Sequence, residues 1–308
     1  MADIVEVAEN IYLIDDQLYS IPKWGSVYLL NEEKKAIIET GPATSASAVI
    51  NGIRQLGIEP ADIAYIIVTH IHLDHAGGAG VLLKDMPQAQ VAVHYKGAPH
   101  LIDPTRLVNS AIEAQGKEII ARCGQVLPIE SHRVQAIHEG DTIILGKKQS
   151  LKFLDAPGHA PHELCIYETR NGGLFGGDAI AVYIPDHDIL LPYHPPPDFN
   201  RELCFKTLER LAKLAPTMIY YSHFGVNNQV SEHLRIAREK LQVWDDIVAK
   251  AINENAFDDA MGRLIAQACT DLEPVKAAEY LYEYLVKIHI PMCAAGHIKY
   301  YQEAVKLN

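Results

Sequence analysis

The sequence predicts an α/β protein in which two mixed β-sheets are covered by helices and followed by a helical appendage. Three observations predict it. Runs rich in Ile, Val, Tyr and Leu are short and often separated only by turns, which does not fit the strict alternation of one doubly wound parallel sheet. Three such runs deliver a His or Asp into the loop that follows, at His159, Asp178 and His223. From about Glu232 onward apolar residues recur at helical spacing, as in Leu241, Trp244, Ile247 and Val248. The division falls between a body, 1-228, and a helical extension, 229-308.

Residues 4 to 15 and 26 to 30 read as strands, with Pro22 and Gly25 breaking the segment between them. Ala36 to Ile38 continues the pattern into a turn, and Pro42 suits the first turn of a helix running to about Leu56. Ile63 to Val68 is a buried-type strand, followed by a helix from about Gly80 to Lys84 and a strand from Gln90 to His94. A helix is expected over 105-121. Strands follow at Arg133 to His138, Thr142 to Leu145, Leu151 to Asp155, Leu164 to Thr169, Leu174 to Gly177 and Met218 to Tyr221. The extension reads as helices over Leu234 to Ile252, Ala256 to Cys269 and Pro274 to His289, with a last one after Gly296. Its apolar faces suit packing or a homodimer surface.

The formal net charge of -12 leaves no basic footprint for a polyanionic backbone, so nucleic acid is not the expected partner. The start, from Met1 to Glu6, lacks the basic and apolar regions of a leader, and no stretch has the apolar length of a membrane span. A cytoplasmic protein acting on a small molecule is expected. Its five cysteines are scattered without metal-type spacing, as in a reducing compartment, and carry no assigned chemistry.

The stretch Thr69 to Gly78 places His70, His72, Asp74 and His75 directly after the Ile63 to Val68 run. Imidazole and carboxylate at this density suit zinc, iron or manganese. If the run is a strand, His70 and His72 share a side and converge on one ion, while Asp74 and His75, past the strand end, point to a second. Gly77 and Gly78 allow a tight course into the next helix.

With His159, Asp178 and His223 added, the pattern resembles the metallo-β-lactamase-fold superfamily of hydrolases, over about residues 5 to 226. The resemblance implies a four-layer αβ/βα sandwich with the site at one edge of the two sheets. It implies His70, His72 and His159 around one divalent ion, Asp74, His75 and His223 around another, and Asp178 between them. Zinc is the first expectation, and iron or manganese suits the same donors. Two divalent ions outweigh Asp74, Asp178 and a bridging hydroxide, so the centre stays positive and attracts a carbonyl or phosphoryl oxygen. Asp74 is the candidate to relay a proton.

Departures from particular family groups narrow the chemistry. Asp178 stands where the lactamases themselves generally use other residues, and His72 where the di-iron oxygen-reducing members usually have Glu. The short interval from Asp178 to His223 has no room for the inserted domain of the nucleic-acid-processing members. The remaining resemblance is to the glyoxalase II and acyl-homoserine-lactonase groups, which implies cleavage of a small carboxyl ester, lactone or thioester. The alternatives are phosphodiester or sulfate-ester hydrolysis, or a di-iron redox or metal-sensing role. Glu39 stands where the family usually has Asp. Ala181 stands where the lactonases tend to have Tyr, which leaves Tyr183 and Tyr193 as candidate donors to an oxyanion.

Other features keep two readings. His162 lines the pocket or supports a ligand from behind. The Pro-rich segment Tyr183 to Phe199 walls an apolar pocket or is a stiff surface linker. Tyr19 to Trp24 forms an opposite wall or an exposed hairpin loop. His94, His100, His132, His138, His233, His289 and His297 are read as surface or core residues, away from the metals.

Overall fold

The computed structural model describes residues 3-254 and 256-306. Met1 and Ala2, the start of the stretch read for a leader, lie outside the described residues. The first sheet contains β1 (Ile4–Ala8), β2 (Ile11–Asp15), β3 (Ser26–Leu30), β4 (Lys35–Ile38), β5 (Ile63–Ile67), β6 (Gln90–His94) and β7 (Val134–Ile137), in that spatial order. Pairing is antiparallel from β1 to β4 and parallel from β4 to β7. The second contains β8 (Thr142–Ile144), β9 (Ser150–Asp155), β10 (Leu164–Glu168) and β11 (Leu174–Phe175). A separate hairpin of β12 (Val182–Ile184) and β13 (Ile189–Leu191) intervenes before β14 (Ile219–Tyr220) and β15 (Val226–Asn227) complete that sheet. It too is mixed, since β11 pairs parallel with β14 and the other pairs are antiparallel.

Alternation within the strands builds the layers. In β3, Val27 and Leu29 face a core shared with α1 (Ala46–Gln55), while Tyr28 and Leu30 face the core between the sheets. That inter-sheet core also takes Phe153, Ile166, Phe175 and Tyr220. On the outer face of the second sheet lie α7 (Arg201–Leu214) and α8 (Val230–Asn253), packed through Leu208, Leu211, Leu234 and Leu241. Helix, sheet, sheet and helix therefore stack as four layers, as expected.

Helices α2 (Leu73–Ala76) and α3 (Ala79–Leu82) follow β5, and α4 (Ala98–Ile102) follows β6. The run expected as one helix over 105-121 is two, α5 (Thr105–Gln115) and α6 (Lys117–Ala121), because Gly116 takes φ 89 and breaks the ladder. The single strand read over 4-15 is likewise broken at Asn10, with φ 62. The Tyr183 to Phe199 segment is less loop-like than its prolines suggest, since it begins in β12 and β13. Helix α7 was not expected at all. Its apolar face is thin, but Asn200 caps it, the side chain accepting from Leu203 N at 3.0 Å.

The extension continues with α9 (Ala260–Asp271), α10 (Glu279–Tyr284) and α11 (Ile290–Lys306), the last two joined by a π-helical turn at Leu285–His289. The last helix therefore starts before Gly296, which lies inside it. A Cβ there would sit 1.8 Å from the His194 carbonyl oxygen, so α11 approaches the Pro-rich segment closely. Leu18, Trp24, Val182 and Tyr193 of the body share one apolar cluster with Trp244, Leu264, Leu285 and Ile290 of the extension. Among the described residues no helix is long and apolar enough to cross a membrane.

Candidate metal centre

Four loops, each following a strand, meet at one edge of the two sheets. The loop after β5 carries His70 and His72 and runs into α2, which carries Asp74 and His75; the loops after β9, β11 and β14 carry His159, Asp178 and His223. Backbone bonds tie two of these loops to neighbouring strands: Leu164 N of β10 donates to Thr69 O at 2.8 Å, and Ser26 N of β3 to Ser222 O at 2.8 Å. All seven expected ligands come together in two groups, His70, His72, His159 and Asp178, and Asp74, His75 and His223.

In the first group His72 Nδ1 lies 3.0 Å from His70 Nε2 and 2.9 Å from His159 Nε2. Asp178 Oδ2 is 3.5 Å from both His70 Nε2 and His159 Nε2, yet only 3.1 Å from His75 Nε2 in the other group. Its Oδ1 lies 3.6 Å from His223 Nε2. Asp74 Oδ2 is 3.8 Å from His75 Nε2 and 3.7 Å from His223 Nε2. Asp178 thus stands between the groups.

The donor set fits divalent ions. His75 Nε2, His223 Nε2 and both oxygens of Asp178 are buried without a hydrogen-bond partner, a cost that a coordinated cation would remove. Burial holds His70 far below the usual imidazole range and His72 at about 3, with neighbouring imidazoles adding to the effect, so both offer neutral lone pairs. Burial would raise Asp178 and Asp74, but the surrounding histidines outweigh it and keep both ionised. At His75 burial is outweighed by the carboxylates of Asp178, Asp74 and Glu39, which push it well up: the field there demands positive charge.

Buried carboxylates hold the ligands from behind. Glu39 Oε1 lies 3.1 Å from His75 Nδ1 and accepts from Thr69 Oγ1 at 2.5 Å and Ser222 Oγ at 2.7 Å. Glu39 therefore orients the second group and both flanking loops, despite replacing the family's usual Asp. Glu163, which sequence reasoning missed, accepts from Asp178 N at 3.0 Å and brings Oε2 to 3.2 Å from His70 Nδ1. The aligned partner of that nitrogen is Thr69 Oγ1 at 3.1 Å, so Glu163 acts chiefly on the Asp178 backbone. Gly177, at φ 54, lets it in, since a Cβ there would lie 2.0 Å from Glu163 Oε1. No spacing rule marks Glu163; the sequence shows only an acid next to His162.

The two candidate tyrosines separate. Tyr193 donates its hydroxyl to Asp74 Oδ2 at 3.2 Å, and its carbonyl oxygen lies 2.7 Å from His159 Nδ1. Tyr183 is corrected: its hydroxyl donates to Asp188 at 3.1 Å and accepts from Asn227 at 3.3 Å, while its ring packs on Tyr221. Residing in β12, it is turned into the layer beneath α8, with no bond to the metal groups.

Several plain readings also change. A cleft of about 340 Å³ opens beside the cluster, with His72, Asp74 and His162 in its wall. Pro195, Pro196 and Pro197 form one side of it, and Tyr19 part of another. Trp24 stays buried behind, its ring 5.0 Å from that of His223. His100 lines the cleft, contrary to its surface-or-core reading. His289 stacks on Tyr193 with ring centroids 4.8 Å apart, and His297 bonds His194 at 3.0 Å. The extension therefore backs the site, because the π-helical turn carries His289 across the Pro-rich segment. His94, His138 and His233 keep structural partners in Asp155, Tyr95 and Tyr221.

A family model described as the metallo-beta-lactamase superfamily matches residues 24–223 of the chain. The protein belongs to the metallo-β-lactamase superfamily. Among curated relatives, protein YobT of Bacillus subtilis strain 168 is 29% identical over 219 residues, covering 69% of this chain and 88% of the relative. An N-acyl homoserine lactonase of a Bacillus species is 25% identical over 243 residues, covering 70% and 86%. The metallo-β-lactamase family protein TTHA1429 of Thermus thermophilus superposes with a TM-score of 0.68 at 19% identity, over 97% of this chain and 95% of that one. That likeness concerns the fold alone, and it takes in the helical extension. Superfamily membership makes the chain one of a group of metal-dependent hydrolases.

Proposed function

We propose that the protein is a binuclear metal-dependent hydrolase that cleaves a small carboxyl ester, lactone or thioester in the cleft beside the two groups. The observation that carries the reading is Asp178, whose one oxygen lies within 3.5 Å of imidazole nitrogens from both groups. The similarity to an N-acyl homoserine lactonase supports the bond class. In this reading His70, His72 and His159 hold one ion, Asp74, His75 and His223 the other, and Asp178 both. Bound zinc, or iron or manganese in its place, supplies a hydroxide at neutral pH and a Lewis acid for the scissile carbonyl.

The chain's own groups do the rest. Tyr193, buried behind the cleft wall and hydrogen-bonded to Asp74, holds an O–H beside the metal groups that can turn to a developing oxyanion. Burial and the neighbouring Asp74 keep that phenol well above its ordinary range, so it remains a donor. Asp74, in the cleft wall, is the acceptor for a proton released as the intermediate collapses. Pro195 to Pro197 and the apolar side of α5 exclude water from the acyl group.

The test is a side-by-side assay of lactone, thioester and phosphodiester substrates on protein whose metal content has been measured. Carboxyl substrates are expected to turn over far faster than the phosphodiester. A protein that carries redox-active iron and hydrolyses nothing, or one that acts on the phosphodiester alone, would refute the proposal.

A further inference from the structure

The cleft is chemically lopsided. At one side His72 and Asp74 join it to the metal groups. Helix α5 runs along it and offers Leu107, Ala111 and Ala114, a stripe at spacings of four and three residues that gives an apolar floor two turns long. Where α5 begins, three basic side chains enter the same cleft: Lys96, His100 and Arg106. They come from one short segment, the turn before α4, α4 itself and the first turn of α5.

In a chain with net charge -12, most of the surface repels a small anion. Among the described residues neither Lys96 nor Arg106 has a carboxylate within ion-pair distance; Lys96 lies only over the Tyr95 ring, at 5.8 Å. Asp198 stands in the cleft wall beside the Pro run and is the one acid there outside the metal groups. Two unpaired cations and a histidine thus share a cleft with an apolar floor and a hydrolytic cluster.

We propose that the cleft selects substrates whose acyl part carries an anionic group, carboxylate or phosphate, separated by an apolar segment from the scissile bond. Arg106 and Lys96 receive the anion, with His100 beside them, and the apolar segment lies on Leu107, Ala111 and Ala114. The inference rests on the hydrolase reading for the position of the scissile bond, but the anion site itself is independent of turnover.

The test compares the mono-p-nitrophenyl ester of adipic acid with p-nitrophenyl hexanoate, which has the same acyl length without the far carboxylate. An ω-phosphonate analogue distinguishes the two anion sources. The metal-loaded protein is expected to prefer an anionic ester in kcat/KM by about tenfold or more, with the preference falling as salt rises. Arg106→Gln and Lys96→Gln are each expected to reduce that preference. Calorimetry with adipate and hexanoate reads the same site without turnover, since both ligands offer one carboxylate to the metals and only adipate offers a second. Adipate binding that is tighter than hexanoate binding and is weakened about tenfold by R106Q supports the inference, even if neither ester is hydrolysed, in which case the hydrolase reading alone fails. Equal turnover and equal binding of charged and neutral partners, unchanged by salt or by either variant, would overturn it.

Discussion

The metal groups and the cleft share His72 and Asp74 but are built in opposite ways. The ligands of the groups follow strand ends, Asp74 and His75 within the short helix α2, are buried or half-buried, and most are backed by another polar group such as Glu39, Thr69 or Glu163. The floor of the cleft is α5, a helix without one buried residue, ended by Gly116 and followed by a second short helix. Its other wall is a Pro-rich segment clamped by α11 of the extension. Chemistry is therefore held on rigid elements, where a small displacement would be costly, and selectivity on peripheral ones, where side chains can change without disturbing the core.

The largest test of this contrast is Asp178→Ala. Because Asp178 stands between both groups, the change should reduce turnover to the uncatalysed background and lower metal content, as read by elemental analysis; full activity would remove its bridging role. Next come the groups behind the ligands. Glu39→Ala and Glu163→Ala should each weaken metal binding by about 10- to 100-fold, measured by metal titration. If the groups are held as described, E39A acts mainly on the ion at His75, and E163A on sharing through Asp178. Unchanged affinities would show that the ligands hold themselves.

Tyr193→Phe should lower kcat by about 10- to 100-fold with metal content intact, since it removes one donor to the developing oxyanion and no ligand. A loss of metal instead would make Tyr193 part of the rigid cluster. The smallest effect concerns the clamp. Burial, with Arg201 adding to it, drives His297 down to about 3, and burial holds its partner His194 well below the ordinary 6.5. Both stay neutral when folded and protonate on unfolding, so the stability they contribute is full above pH 6.5 and is lost as pH falls from 6.5 toward 3. Each group costs up to about 1.4 kcal/mol per pH unit in that window. Melting temperatures between pH 7 and 4 should therefore fall, less steeply in His297→Phe; equal slopes would sink the assignment.

The ligands were legible because they sit at strand ends in a dense local motif, and the pattern of short β runs disclosed the layers. Glu39 was visible as a departure, though its threefold acceptor role was not. Helix α7 did carry local signals, the Asn200 cap and Cys204, Leu208 and Leu211 at helical spacing, but Glu163 and His289 escaped for another reason. Their partners are remote in the chain, and neither a lone acid nor a lone histidine carries a periodicity. Tyr183 and Tyr193 were indistinguishable in the sequence because both lie in the same segment; only the fold separates them, with Tyr183 in β12 bonded to Asp188 and Tyr193, past the end of β13, bonded to Asp74.

The sequence by itself determined which donor atoms exist and that strand ends would present them, since hydrophobic periodicity and ligand chemistry are local properties. The tertiary structure decided that Glu39 and Glu163 stand behind the two groups that Asp178 joins, and that the extension backs the site. Those facts depend on packing between segments far apart in the chain, where the cost of burying polar atoms selects their partners.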